Sequence, residues 1–197
     1  MLKNKFFELP KQEEDRGVKN SSEVLVSKYL AAHYNMIKSL DKDIKQLPLP
    51  EEFFFLQSDT SFNAFTFIPL IGQKETIEEL YASTYSISRK VIDALIILYD
   101  KGIIKQLTIM ISDSLIKRNP ATIDHLEALA NSRPGFKVNY AWVHAKVCAI
   151  QTSENYYVVE GSGNWAENAH YEQYLLANSK ALFDFRKKLF TEAKLRN

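Results

Sequence analysis

The stretch VHAKVCAIQTSENYYVVEGSGNWAENAHYEQYLL, residues 143–176, decides the fold and contains most of the residues that could carry chemistry. In it, short apolar runs alternate with polar or glycine-containing turns, which is typical of successive β-strands. Alternate side chains of a strand share one face, so His144 and Lys146 are predicted to point the same way. An imidazole and an ammonium group would then lie side by side.

A glycine-rich turn follows the next apolar run. Gly161 and Gly163 bracket Ser162, and Asn164 comes where the strand predicted over residues 156–160 should have ended. Glycine permits a strained turn or a close approach of the backbone to a ligand. Each feature alone is unspecific, because an HxK pair arises easily by chance and a GSGN stretch is usually only a turn.

Taken together, these motifs resemble those of the phospholipase D superfamily. The shared order is HxK, an apolar strand, a short turn, a second apolar strand, GSxN and then an acid. The resemblance follows the order of elements over residues 64–190 and is sharp over residues 144–172. It implies a phospholipase D-like fold of the α/β class, an α+β sandwich in which helices flank a mixed β-sheet.

The resemblance also implies a role for each polar residue of the motifs. His144 resembles the nucleophile, which attacks phosphorus and forms a phosphohistidine intermediate. Lys146 and Asn164 would hold the non-bridging phosphoryl oxygens, where negative charge develops. Ser162 would be a further donor or a supporting residue. Neither a metal nor a cofactor is implied.

The single HxK motif implies a homodimer. In members of the superfamily with one motif, such as small bacterial endonucleases, two copies assemble around one active site. The second copy of His144 would protonate the leaving oxygen. This division suits imidazole, because an ordinary pKa of about 6.5 lets one copy be neutral and the other charged.

The glycines and tryptophans around the motifs are candidates for substrate contact. Gly161 and Gly163 would leave space for a ligand, and Trp165 is predicted to line the substrate site. Trp142 and Trp165 flank the motifs, where they could wall the pocket or stack on a base. Packing in the core is the alternative for both.

An acid is needed to hold the second ring nitrogen of a nucleophilic imidazole, and the superfamily places it downstream of GSxN. Glu172 is the first candidate because it opens the apolar run 174–177. Glu160, on the strand before the turn, is the second candidate, and Glu167 is the third. Each could instead be an ordinary surface carboxylate.

The sequence departs from the superfamily at one motif position. Gln151 stands where the motif has an Asp after four residues beyond the lysine. Glu154 lies three residues later, so the turn could be longer and the acid displaced. Because that Asp supports the site and does not react, the match is weakened and a catalytically degenerate relative remains an alternative.

Composition predicts one catalytic domain with an N-terminal appendage. The chain has 197 residues, enough for one substantial core, and its formal net charge of +1 is far from that of a nucleic-acid-coating protein. Basic residues do cluster over residues 180–196, which is typical of a solvated helix face. The single Cys148 excludes a disulfide framework and a thiolate-rich metal site. With no apolar run of membrane-spanning length and no apolar signal region, the chain is predicted to be cytoplasmic.

Periodicity and turn residues divide the chain into elements. Residues 1–50 are predicted to form a polar segment and an amphipathic helix over 21–40, and residues 51–197 the phospholipase D-like domain. Helices are predicted over 88–100, 121–130 and 181–194, the first with Gly102 as its C-terminal cap. Residues 75–81 are predicted to be a connection. Strands are predicted over 53–56, 64–70, 82–86, 107–111, 137–143, 144–150, 156–160 and 174–177.

These observations favour a metal-independent phosphodiesterase, a nuclease acting on DNA or RNA. A catalytically degenerate nucleic-acid-binding or regulatory module is one alternative, and a phospholipid head-group hydrolase is another. A missing membrane segment counts against lipid, since a lipase would need an apolar docking surface. The near-neutral charge leaves room for a nuclease directed by a partner protein, which the sequence does not identify.

Overall fold

The computed structural model describes residues 44–58, 64–166 and 171–196. The helix predicted over 21–40, the polar segment before it, and Glu167 lie outside these residues. The predicted division of the chain at residue 50 therefore stays a prediction.

Seven strands form one mixed sheet in the described part of the chain. Their order in the sheet is β1-β7-β6-β5-β2-β3-β4. Strand β3 is parallel to both β2 and β4, whereas all other neighbours are antiparallel. The strands are β1 Glu52–Gln57, β2 Ile77–Thr84, β3 Ile104–Ser112, β4 Phe136–Ala141, β5 Val147–Gln151, β6 Tyr156–Gly161 and β7 Gln173–Asn178.

Helices cover both faces of this sheet. One side carries α2, whose residues Val91, Ile92, Leu95 and Ile96 are buried in the main core. The other side carries α5, whose Phe183 and Phe190 pack in two smaller clusters with residues of β3, β5 and β6. The predicted α+β architecture with helices flanking a mixed sheet is confirmed. The helices are α1 Phe67–Gly72, α2 Arg89–Asp100, α3 Ser114–Arg118, α4 Pro120–Asn131 and α5 Lys180–Glu192.

The two parallel strand pairs explain why the prediction succeeds in the middle of the chain. Helix α2 connects β2 to β3, and α3 and α4 connect β3 to β4, as parallel neighbours require. Ser88 caps α2 by accepting a hydrogen bond from the backbone N–H of Val91. Gly102 follows the helix with a φ of 70°, which is the left-handed C-terminal cap predicted from the sequence.

Two predicted elements are wrong. Residues 64–70 form a 3₁₀ turn, Ala64–Thr66, and the start of α1 instead of a strand. Pro69 fits the first turn of a helix but would remove a hydrogen bond from a central strand. Residues 75–81 are not a connection, because β2 begins at Ile77. Its polar residues Glu78 and Glu79 concealed the strand, and both form ion pairs across the sheet surfaces.

Candidate functional site

The two motifs meet at one edge of the sheet. The parallel strands β2, β3 and β4 all end at this edge, and β5 begins there because Val147 pairs with Ser83 of β2. Strand β6 ends at the same edge, and β7 starts beside it, with Gly161 opposite Tyr174. Ligand sites in sheets with parallel strands lie at the carboxyl ends of those strands. The edge is therefore the place where a site is expected.

The HxK residues lie just before a strand and not within one. The strand predicted over 144–150 begins only at Val147, since the chain turns after β4, with Val143 N–H donating to the carbonyl of Ala141. Ser83 nevertheless fixes this segment. Its buried hydroxyl donates to the carbonyl of Ala145 at 3.1 Å and accepts from the N–H of Val147 at 3.3 Å. The backbone is thus held on both sides of Lys146.

His144 and Lys146 are in direct contact. The Lys146 Nζ lies 3.1 Å from Nδ1 of His144 and donates to the carbonyl oxygen of His144 at 2.8 Å. The His144 side chain is exposed, and its ring centroid lies 4.8 Å from that of Tyr85. Burial lowers the pKa of Lys146, while the negative charge of Glu172 and the Tyr85 hydroxyl oppose that shift. The two basic groups lie side by side, as the spacing predicts.

Glu172 binds Ser162 in the described structure. The Ser162 hydroxyl donates to the Glu172 carboxylate and accepts from the N–H of Gln173 at 3.1 Å. Ser58 accepts the backbone N–H of Glu172 at 3.0 Å, so the residue is fixed from two sides. The orientation of His144 by Glu172 stays a prediction.

Glu160, the second candidate for the orienting acid, is engaged by an arginine. Arg186 of α5 forms a two-pronged ion pair with its carboxylate, one arm being 2.6 Å long. Bidentate pairs of this kind are among the stronger polar contacts. Glu160 is therefore the ion-pair partner of Arg186. Sequence reasoning did not identify Arg186 as a residue of the site. The basic cluster over 180–196 was the only signal, and it does not single out residue 186.

A pocket of about 390 Å³ brings these groups together. Two cationic side chains, a hydroxyl and an imidazole on one concave surface can bind a phosphate oxygen and offer a nucleophile to its phosphorus. The lining includes His144, Lys146, Glu160, Gly161, Ser162 and Arg186.

Gly161 is required by the sheet itself. A Cβ at this position would lie 2.5 Å from the carbonyl oxygen of Gln173 and would also clash with the Tyr174 ring. The absence of a side chain thus allows β6 to pair with β7, a reason that the sequence analysis did not give. Gly163 is buried, and its predicted contact with substrate stays a prediction.

Trp165 belongs to the core. Its side chain is 1% exposed and its ring meets that of Phe65 edge-on at 5.7 Å. The predicted substrate contact of Trp165 is therefore wrong, and the packing alternative is what the structure shows. Its backbone pairs with Ser86 and Ser88, which anchors the half-buried Asn164 beside the end of β2. The phosphate-holding role of Asn164 stays a prediction.

The far end of β5 carries a carboxylate from another part of the chain. Glu75 accepts hydrogen bonds from the hydroxyls of Thr152 and Tyr157, each at 2.6 Å, and from the Asn155 amide at 3.0 Å. Burial raises the pKa of Glu75, but these three donors outweigh it and hold the pKa below 4.5. Glu154, the displaced acid expected from the sequence, is exposed.

Two further properties bear on the site. Among the described residues, no group of three His, Cys, Asp or Glu side chains could hold a metal ion. None of the helices in the described ranges is long and apolar enough to cross a membrane.

Solved structures of low sequence identity share the fold. Polyphosphate kinase from Porphyromonas gingivalis aligns with a TM-score of 0.56 and 14% identity over 72% of this chain and 26% of that one. NucT from Helicobacter pylori aligns with a TM-score of 0.52 and 19% identity over 71% of this chain and 95% of NucT. Phosphatidylserine synthase from Haemophilus influenzae Rd KW20 aligns with a TM-score of 0.52 and 13% identity over 74% of this chain and 40% of the synthase.

These comparisons define the fold. The chain spans about a quarter of the kinase and two fifths of the synthase but nearly the whole of NucT. Neither a protein-family model nor a curated protein sequence matches the chain. The likeness in structure shows that the chain shares the mixed-sheet α+β fold of these three proteins.

Proposed function

We propose that this chain is a metal-independent phosphodiesterase that cleaves DNA or RNA through a phosphohistidine intermediate. The observation that carries the proposal is the contact between His144 and Lys146 in a pocket that also holds Ser162 and Arg186. A nucleophile in contact with an ammonium group suits an anionic substrate, since the charge that attracts the phosphate also stabilises the transition state.

The proposed reaction has two in-line steps. A ring nitrogen of His144 attacks phosphorus, the P–O bond to the leaving group breaks, and the leaving oxygen takes a proton from a second imidazole. Water then attacks the phosphohistidine, the P–N bond breaks, and the water proton passes to that second imidazole. Lys146 and Asn164 hold the non-bridging oxygens in both steps.

The second imidazole is proposed to be His144 of another copy of this chain. The motif occurs once in the sequence, and in-line displacement needs a nucleophile and an acid on opposite sides of phosphorus. A two-fold homodimer places the same patch of both copies together, so that one motif per chain becomes two per site. The exposure of His144 is compatible with this arrangement.

The decisive experiment compares wild type with His144→Ala on plasmid, single-stranded DNA and RNA in excess EDTA. We expect cleavage by wild type and none by the variant, with equal thermal unfolding temperatures because residue 144 is exposed. Cleavage by the variant would refute the role of His144. Loss of wild-type cleavage in EDTA would indicate a metal-dependent nuclease.

The proposed dimer has its own test. Light scattering should give about twice the chain mass of 22.7 kDa. Mixing wild type with an excess of His144→Ala should lower activity below that of the wild-type chains alone, because mixed dimers lack one imidazole. A fully active monomer would contradict the shared site.

A binding module without turnover is the second candidate. It is favoured by Gln151 at the motif Asp position and by the bond that Glu172 makes to Ser162. This module would bind the same oligonucleotides in EDTA without cleaving them. A phospholipid head-group hydrolase is the remaining alternative, and release of a head group from phosphatidylcholine vesicles, with no cleavage of nucleic acid, would identify it.

A further inference from the structure

A second recess adjoins the candidate site and shares His144 with it. Its volume is about 350 Å³, at the small end of the range for ligand pockets, roughly 300–1,000 Å³. We call it the aromatic recess, and it is lined by Tyr85, Ser112, Ser114, Trp142, Val143 and His144. A recess of this size suits one nucleoside unit better than a duplex.

Trp142 dominates this recess. It is 91% exposed, whereas its chain neighbours Ala141 and Val143 are 5% and 8% exposed. The backbone here is fixed, since the carbonyl of Ala141 accepts hydrogen bonds from the N–H groups of Asp113 and Val143. An indole is thus held in solvent, two residues from the proposed nucleophile, on a segment anchored on both sides.

Tyr85 and Arg118 supply a cation at the same place. The guanidinium carbon of Arg118 lies 4.4 Å from the centroid of the Tyr85 ring, and Arg118 also donates to the Ser114 hydroxyl at 3.3 Å. Within the described ranges no carboxylate forms an ion pair with Arg118, which is exposed. Its charge is therefore available to a ligand phosphate.

We infer that the aromatic recess binds one nucleotide of a single-stranded nucleic acid next to the scissile phosphate. The base stacks on Trp142, and the adjoining phosphate pairs with Arg118. In a duplex the base faces are already stacked on their neighbours, so only an unpaired strand offers one to Trp142. This inference deepens the proposed function and rests on it for the position of the scissile phosphate.

The kinetic test uses a substrate with bases and one without. Wild type, Trp142→Ala and Trp142→Phe are assayed on single-stranded DNA and RNA oligonucleotides, a matched duplex, and methyl 4-nitrophenyl phosphate. Trp142→Ala should lower kcat/KM on the single strands by roughly 5- to 150-fold and leave the small diester unchanged. Trp142→Phe should keep most of the activity, and Ile97→Ala, an exposed apolar control on α2, all of it.

Arg118→Ala tests the phosphate contact separately. It should weaken oligonucleotide binding and reduce the slope of log affinity against log salt by roughly 0.7, the value for one phosphate on a single strand. An unchanged slope would overturn the pairing with Arg118.

Fluorescence keeps the inference independent of turnover. The chain has two tryptophans, and Trp165 is buried, so a ligand that stacks on Trp142 should quench the exposed emission. If wild type cleaves nothing, the proposed function fails, while quenching by oligothymidylate that disappears in Trp142→Ala still supports the recess. If Trp142→Ala cleaves oligonucleotides as fast as wild type does, the inference fails and the proposed phosphodiesterase stands. The same holds if the variant loses activity on the oligonucleotides and on methyl 4-nitrophenyl phosphate to an equal extent. Cleavage of the duplex by wild type at the same rate as the single strands would also overturn the inference. So would a change of mass from dimer to monomer in Trp142→Ala.

Discussion

The two ends of the β5–β6 hairpin are built in opposite ways. At the turn, Glu75 is surrounded by three donors from Thr152, Asn155 and Tyr157, and all four side chains are at least half-buried. At the open end, the exposed imidazole of His144 touches the ammonium group of Lys146, and burial lowers the pKa of Lys146. Satisfied polar networks rigidify a fold, whereas basic groups placed close together suit the binding of an anionic ligand. One end of the hairpin thus serves stability, and the other is the proposed site of chemistry.

Lys146→Ala should produce the largest difference between the two ends. Removing a donor that stabilises transition-state charge costs about 10²–10³ in kcat. Lys146 is only half-buried, so the unfolding temperature should change little. Steady-state kinetics and thermal unfolding check this, with the exposed Lys188→Ala as control. A large loss of stability would place Lys146 among the structural residues.

Glu75→Ala should reverse that pattern. It leaves three donors without their acceptor and should lower the free energy of unfolding by about 3 kcal/mol while folded protein keeps its activity. Urea unfolding measures the change, and Glu154→Ala at the same turn is the control because its side chain is exposed. Loss of activity in fully folded Glu75→Ala would show that the two ends are coupled.

Glu172→Gln should have an intermediate effect at the site. If Glu172 orients His144, the rate should fall by roughly ten- to a hundredfold, because the amide keeps the shape and loses the charge. Glu160→Gln provides the comparison, since its partner is Arg186. A normal rate in Glu172→Gln with an impaired Glu160→Gln would transfer the orienting role to Glu160.

The smallest effect is the pH dependence of stability. Because the pKa of Glu75 lies below 4.5 in the folded chain, its ionised form contributes stability that is fully present above pH 4.5. That contribution is lost as the pH falls through the folded pKa. Glu75→Gln should therefore lose less stability than wild type on acidification below pH 4.5, as followed by urea unfolding at several pH values. Parallel curves would contradict the lowered pKa.

Sequence reasoning found what depends on spacing along the chain. The contact of His144 with Lys146 was predicted from a spacing of two, although the segment is not a strand. The helix α2 was found because its apolar period, its Ser88 cap and Gly102 all agree. A prediction from local signals of this kind can stay correct even when one secondary-structure element is assigned wrongly.

What depends on the sheet register could not be predicted. Glu75 reaches the β5–β6 turn only because β2 pairs with β5, and Arg186 reaches Glu160 only because α5 lies on β6. The run 64–70 is apolar enough for either a strand or a buried helix, and periodicity does not separate the two. These residues acquire their roles from neighbours far away in sequence.

The pairing of β1 with β7 has a consequence for folding during synthesis. Glu52 lies opposite Asn178, so β1 meets its partner only after almost all the other strands have been made. Until then, the apolar strand EFFFLQ lacks its β7 partner as well as a neighbour on its outer side in the described sheet, and unpaired edges of this kind recruit other chains. Long-range pairing also slows folding. A chaperone that covers β1 during synthesis should therefore raise the soluble yield of this protein, whereas slower translation should lower it.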